Sequence, residues 1–219
     1  MAGNQHHARR AFLSRLGAGT VAAGVAAAAA TTQAQSAGTA PWQPARHTQD
    51  DWLDQLSGVH RFVFDTTAPA GFDVALLYAN NYFTANRNDY GLNDTDLAVV
   101  IVARHDSTPF AYNDSLWGKY GPSLVRRSGF VDPATKQPPT MNVHRTRLEG
   151  LLKRGVHLAV CEMATRFLAS TIAAAGGADA DSVYSELTAN LMSNAHMVSA
   201  GIVAINRAQE RGYAFAHGV

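Results

Sequence analysis

The 219-residue chain has one cysteine, Cys161. That scarcity excludes an internal disulfide, a CxxC redox pair and any zinc site built from several thiolates. Charge is scarce as well: 16% of residues are charged, and Lys+Arg outnumbers Asp+Glu by only 18 to 17. So small an excess lacks the basic field on which nucleic-acid binding rests. No GxxxxGK[ST] or GxGxxG pattern follows a strand-like run, and no serine nucleophile elbow is present. The histidines form neither an HxxxH nor an HExxH array. The usual geometries for cradling phosphate, activating serine and preforming a zinc site are therefore missing. There is no internal repeat. What is present is a 47% hydrophobic composition, which suits one ordinary globular domain.

The basic residues are unevenly placed. Residues 1–34 contain Arg9, Arg10 and Arg15 and no acid, with an uncharged stretch from Leu16 to Ala30. This is the layout of a cleaved export signal, and Arg9-Arg10-Ala11-Phe12-Leu13 resembles the twin-arginine motif. The stretch is too short and too rich in alanine to favour a spanning helix, which needs about 20 mainly apolar residues. The expectation is a twin-arginine signal over residues 1–34, cleaved between about 34 and 40. A leader at 41–59 and a periplasmic domain at 60–219 follow, with no stable membrane insertion after cleavage. Loss of the three arginines leaves 15 Lys+Arg against 17 Asp+Glu, a net charge of −2, which further disfavours nucleic acid as a partner.

Within the domain, apolar runs alternate with helical periodicities. Arg61 to Asp65, Leu97 to Ala103, Val156 to Cys161, His196 to Val198 and Tyr213 to Ala216 read as strands. The all-apolar run Leu97–Ala103 suits a strand covered on both faces. Phe72, Leu76, Ala79 and Phe83 recur at helical spacing. Further helices are expected over Thr146 to Lys153, Met163 to Ala175, Asp179 to Leu191 and Gly201 to Arg211, with a weaker one between Phe110 and Gly121. The pattern predicts a three-layer α/β/α sandwich with a mostly parallel sheet of about five strands and right-handed crossovers. Pro122 to Asn142 reads as a long loop, either a lid or an insertion. Tyr112, Trp117 and Tyr120 are candidates for an interface or for covering the core.

In open α/β sheets, ligands bind beyond the carboxyl ends of the strands. That rule selects Asp65, His105, Cys161 and the turn Ser199 to Gly201. Cys161 stands where a strand meets a helix, and the positive end of a helix dipole favours a thiolate. Glu162 beside it opposes that tendency unless its carboxylate turns away, and Arg166, one helical turn on, can offset it. His105 closes a strand and could steer an anion or assist a proton transfer. The expected site is thus Cys161 and His105 for chemistry, with Glu162, Arg166 and Asp65 for substrate. A small buried structural cysteine is the competing reading of Cys161.

The segment Gly155-Val156-His157-Leu158-Ala159-Val160-Cys161 leading into a helix, together with Ala200-Gly201-Ile202-Val203-Ala204-Ile205-Asn206-Arg207-Ala208-Gln209-Glu210-Arg211-Gly212-Tyr213, resembles the DsrE/DsrF-like family. The likeness runs from about His60 to Ala216. It implies a sulfur-relay fold in which the cysteine ending the third strand, here Cys161, carries a persulfide handed between proteins. It also implies a homo-oligomer, a sulfur donor or acceptor protein as partner, and no cofactor. Three functions follow as expectations. The first is an exported sulfur carrier or sulfurtransferase. The second is a non-catalytic oligomeric module that binds a small ligand and keeps Cys161 buried. The third, less favoured, pairs Cys161 with His105 or His196 around a metal or haem.

Overall fold

A strand with no polar residue needs cover on both faces, and Leu97–Ala103 is buried at every position. It is the central strand in the computed structural model, which describes residues 42–218. The strands are β1 (His60–Thr66), β2 (Leu97–Ala103), β3 (Val156–Cys161), β4 (Ala195–Val198) and β5 (Ala214–Gly218). They form one sheet in the order β4-β3-β2-β1-β5, and all four pairings are parallel. The helices are α1 (Trp52–Gln55), α2 (Pro69–Tyr90), α3 (Asp114–Leu124), α4 (Arg145–Lys153), α5 (Glu162–Gly176), α6 (Ala180–Ala189) and α7 (Gly201–Gln209). The chain is an α/β protein, a three-layer sandwich with an entirely parallel five-stranded sheet.

The order of the strands decides which helices lie on which face. The steps from β1 to β4 all advance in one direction, so right-handed crossovers place α2 to α6 on one face. The last connection returns across the whole sheet to β5 and carries α7 to the opposite face. Strand side chains alternate accordingly. Phe64, Ile101, Leu158 and Val160 join the core under α2, α5 and their neighbours. Val63, Val100, Val102 and Ala159 join a second, smaller core with Ala204, Ile205 and Ala208 of α7.

One short helix cannot cover five strands, and the remainder comes from the segment expected to be a leader. Leu53 is fully buried in the second core, with Trp52 and Leu56 packed against it. The Tyr213 hydroxyl and the Arg61 guanidinium both donate to the Leu53 carbonyl, at 2.8 and 3.1 Å. The domain therefore begins before residue 60. The signal and its cleavage point lie outside the described residues.

Two further expectations change. The long loop starts at Val125 rather than Pro122, because α3 continues through Pro122 to Leu124. Its end is pinned to the core, since buried Asn142 donates to the carbonyls of Phe110 and Tyr112 at 2.8 and 3.1 Å, while residues 133–138 are exposed. Tyr112 and Trp117 are fully buried and Tyr120 packs against the same core, so these aromatics cover the core and form no interface patch. The weak helix between Phe110 and Gly121 resolves into a 3-10 segment at His105–Ala111 followed by α3.

Trp52 stacks on His196 at 4.0 Å between ring centroids, and His196 Nε2 lies 2.9 Å from His157 Nδ1. Burial lowers the His157 pKa, and burial with the neighbouring His157 brings His196 down to about 4. The unfolded chain takes up these protons nearer pH 6.5, the ordinary histidine value. Stability is therefore fully present above about pH 6.5 and is lost as pH falls toward about 4. We expect His196→Phe, which keeps the stack, to flatten the loss between pH 7 and 4.5 by on the order of 1 kcal/mol, discounted for the part-exposed ring. Urea midpoints at the two pH values measure it, and an unchanged slope would refute the assignment.

Candidate active site at the ends of β2 and β3

The loop after β3 turns into α5 on one face, and the loop after β4 turns into α7 on the other. Adjacent strands whose connections diverge leave a crevice beyond their carboxyl ends. Such a crevice is present, with a volume of about 340 Å³. Cys161 and Met163, Ala164 and Phe167 of α5 line one wall, Ala200, Gly201 and Ile202 the other, and Arg104, His105 and Arg127 the rest.

Alternation along the strands explains why a charged group meets the thiol here. Ala98, Val100 and Val102 face α7, so Arg104, two residues on, emerges on that face. Ala159 faces α7, and Cys161 follows it by the same count. On β1, Asp65 shares the face of Val63 and pairs in register with His217 of β5. Asp65 is 3% exposed and accepts two hydrogen bonds from Arg104, at 2.7 Å from Nε and 2.8 Å from Nη2. His217 Nδ1 lies 2.9 Å from its second oxygen. The Asp65 hydrogen bonds raise the Arg104 pKa and burial opposes them. Coulombic attraction to Asp65, and then to Cys161, raises it further. The guanidinium is thus a fixed positive charge beside the sulfur.

The turn carrying Arg104 and His105 is held by buried hydroxyls. Thr66 Oγ1 and Ser107 Oγ are 2.8 Å apart, and Ser107 Oγ accepts from the Arg104 backbone N–H at 3.0 Å. His105 has a left-handed backbone with φ of 52°, a strained conformation for a residue with a Cβ. The strain lets the chain leave β2 sharply, so that residues 104 and 105 both reach the cleft.

Cys161 is the N-cap of α5 and is 7% exposed. Thr165 Oγ1 donates to its carbonyl at 3.0 Å and accepts from the Tyr112 hydroxyl at 3.0 Å. Burial raises the pKa of that tyrosine, so it remains a neutral donor. Glu162 turns away. Its carboxylate takes Arg166 Nε at 2.8 Å and the Tyr184 hydroxyl at 3.1 Å. The Arg166 guanidinium lies over the Tyr184 ring, 4.0 Å from its centroid.

The residues selected from the sequence thus separate. Cys161 and His105 line one cleft with Ala200 and Gly201, and Asp65 lies behind it as the anchor of Arg104. Glu162 and Arg166 do not line it, because they satisfy each other and Tyr184 on the outside of α5. Their place is taken by Arg104 and Arg127, which the sequence reading passed over. Arg127 comes from the long loop, pairs with Asp106 at 2.6 Å and lies 5.1 Å over the Phe167 ring. A signal for Arg104 existed: with Asp65 and Cys161 it lies at the same parity on the ends of three paired strands.

Among the described residues, no three His, Cys, Asp or Glu side chains converge as a metal site. His196 is engaged by Trp52 and His157, and so is not presented to Cys161. A larger cavity of about 650 Å³ lies at the start of α2 against Phe130, Val143, His144 and Arg147. It holds no thiol, Asp73 takes its arginine at 2.7 Å, and burial lowers the pKa of His144. The thiol is in the smaller cleft, with two arginines whose paired carboxylates, Asp65 and Asp106, are not part of its lining.

Removing one partner of a buried ion pair strands the other charge. Asp65→Ala is expected to cost about 3–5 kcal/mol, whereas Arg166→Gln, in an exposed pair, leaves stability nearly unchanged. Urea unfolding compares the two. Similar midpoints for both variants would show that Asp65 and Arg104 are solvent-screened.

No protein-family model and no curated protein matches the chain. Among solved structures it is similar to a protein of unknown function, MTH1491 from Methanobacterium thermoautotrophicum, at 19% identity and a TM-score of 0.39, over 72% of this chain and 98% of that one.

Proposed function

We propose that this chain is an exported sulfur carrier of the DsrE-like kind, with Cys161 as the atom that holds the sulfur. The observation that carries the reading is the position of the lone thiol. It caps α5 inside a cleft with two arginines, a histidine and no carboxylate in its lining. The start of α5 and the Arg104 guanidinium share that cleft with the sulfur.

The chemistry is a pair of displacements. The Cys161 thiolate attacks the sulfane sulfur of a donor. The new Sγ–S bond forms as the bond from that sulfur to the donor breaks, and the donor leaves with the electron pair. The outer sulfur of the persulfide is then attacked by an acceptor thiolate, and Cys161 departs as thiolate. No external oxidant or reductant enters, because sulfane sulfur is passed on at its own oxidation level. His105, in the same lining, is placed to hold or release a proton during the exchange. Exposed Met163, Phe167 and Ile202 rim the cleft, a surface suited to docking a sulfur donor or acceptor protein. The family resemblance supplies the homo-oligomer, and the Arg9-Arg10 segment supplies export to the periplasm.

One observation favours the alternative, an oligomeric ligand-binding module: Cys161 is only 7% exposed. The deciding measurement is the intact mass of the reduced protein after polysulfide treatment, with Cys161→Ser as control. The carrier reading expects added sulfur on the native protein, lost to reductant and absent from the variant. Sulfur gained only after unfolding would make Cys161 structural and leave the binding module. For export, Arg9→Lys with Arg10→Lys in the full chain is expected to leave an unprocessed precursor in the cytoplasm. Normal processing of that variant would refute the twin-arginine route.

A further inference from the structure

We infer that the cavity at the start of α2 is a second ligand site and that it takes a small organic ammonium, a protonated primary amine on an apolar body. The inference does not depend on the carrier reading, because the cavity shares no lining residue with the Cys161 cleft.

Size and lining are the first observation. A volume of about 650 Å³ is that of a small-molecule site, and Pro69, Ala70, Phe130, Pro133 and Val143 make much of the wall apolar. Such a wall buries the body of a ligand, and the polar groups at its edge decide which ligand fits.

The second observation is an imidazole in that wall with no hydrogen bond. The His144 side chain is 12% exposed, and its ring packs against Phe72 and Phe110, with centroids 5.7 and 4.8 Å away. Nε2 is buried without a partner. Nδ1 lies 3.5 Å from Asp73 Oδ1, too far for a good hydrogen bond, whereas His217 and Asp65 close to 2.9 Å. Buried polar groups are nearly always satisfied, so a fixed ring left open beside a cavity points to a partner supplied from outside.

The state of the ring says what that partner is. Burial favours the uncharged form, which carries one N–H. Against the Phe72 and Phe110 rings an N–H is better placed than a bare lone pair, which puts the proton on Nε2. Nδ1 is then an acceptor facing a second acceptor, the Asp73 carboxylate. A group with two or more hydrogens to donate bridges the pair, and an ammonium has three.

Charge separates an amine from a neutral donor. Two carboxylates, Asp73 and Asp132, and one guanidinium, Arg147, line the cavity, a net charge of −1 with His144 neutral. Arg147 donates to Oδ1 of Asp73 at 2.7 Å, and among the described residues no donor meets Oδ2. The Asp132 carboxylate accepts the backbone N–H of Ala134 at 2.7 Å and pairs with no basic side chain among the described residues. The unbalanced negative charge attracts a cation and disfavours a carboxylate of the same shape.

Three probes with one apolar body test the inference by calorimetry on the full-length protein at about pH 7.5, where the amine is protonated. They are benzylamine, benzyl alcohol and benzoate. We expect benzylamine to bind saturably and at least about tenfold more tightly than the alcohol, the worth of one charged hydrogen bond, with benzoate weakest. Asp73→Asn, at a half-exposed carboxylate, should weaken the amine about tenfold and the alcohol less than about twofold. Ala70→Trp, from an exposed position in the first turn of α2, fills the cavity and should abolish binding of both. Cys161→Ser should bind as the native protein does. Equal affinity for amine and alcohol, tightest binding of benzoate, or no saturable binding of benzylamine would overturn the inference. So would amine binding that survives Ala70→Trp or is lost in Cys161→Ser, since either places the probe elsewhere. The ranking of the three probes needs only the native protein, so it decides the question even where a variant fails to fold.

Discussion

A parallel sheet buries both faces, and this chain meets that requirement with a single reversal. Three crossovers stack five helices on one face, and the fourth returns with α7 to cover the other. The smaller layer is completed by Trp52, Leu53 and Leu56 from the segment before β1. The same reversal creates the cleft, because diverging connections after β3 and β4 leave the strand ends uncovered. Packing of the second face and the position of the thiol are thus consequences of one topological constraint.

Electrostatics at the strand ends follow from burial. A carboxylate as enclosed as Asp65 is costly unless it is paired and hydrogen-bonded. Arg104 supplies two donors and His217 a ring nitrogen. The pairing fixes Arg104 in turn, with its stem against Gly201. A free arginine side chain would have to give up rotamer entropy on binding an anion. Here folding has already met that cost, and the charge beside Cys161 is preorganised.

Local signals made most of the fold legible. Leu97–Ala103 and Val156–Cys161 were read with their observed bounds, since an uninterrupted apolar run between polar turns has few alternatives. The second half of the chain was likewise punctuated by glycines at helix ends. Residues 52–56 were missed because four helical residues carry no periodicity, and their burial depends on strands far along the chain. Cys161 and His105 were legible from strand-end logic alone. Glu162 and Arg166 were assigned by nearness in sequence, whereas their side chains turn to Tyr184 on the outer side of α5. Arg104 was passed over because its role needs three strands in register and the contact with Gly201. Arg127 needs the path of a loop that no periodicity encodes.

The slight exposure of Cys161, 7%, bears directly on the chemistry. In an oxidising compartment, to which the proposed signal would send the chain, an open thiol is consumed by disulfide formation with other thiols. A thiol closed off completely transfers nothing. The cleft lies between these limits, since Cys161 lines it, 7% exposed, behind an apolar rim.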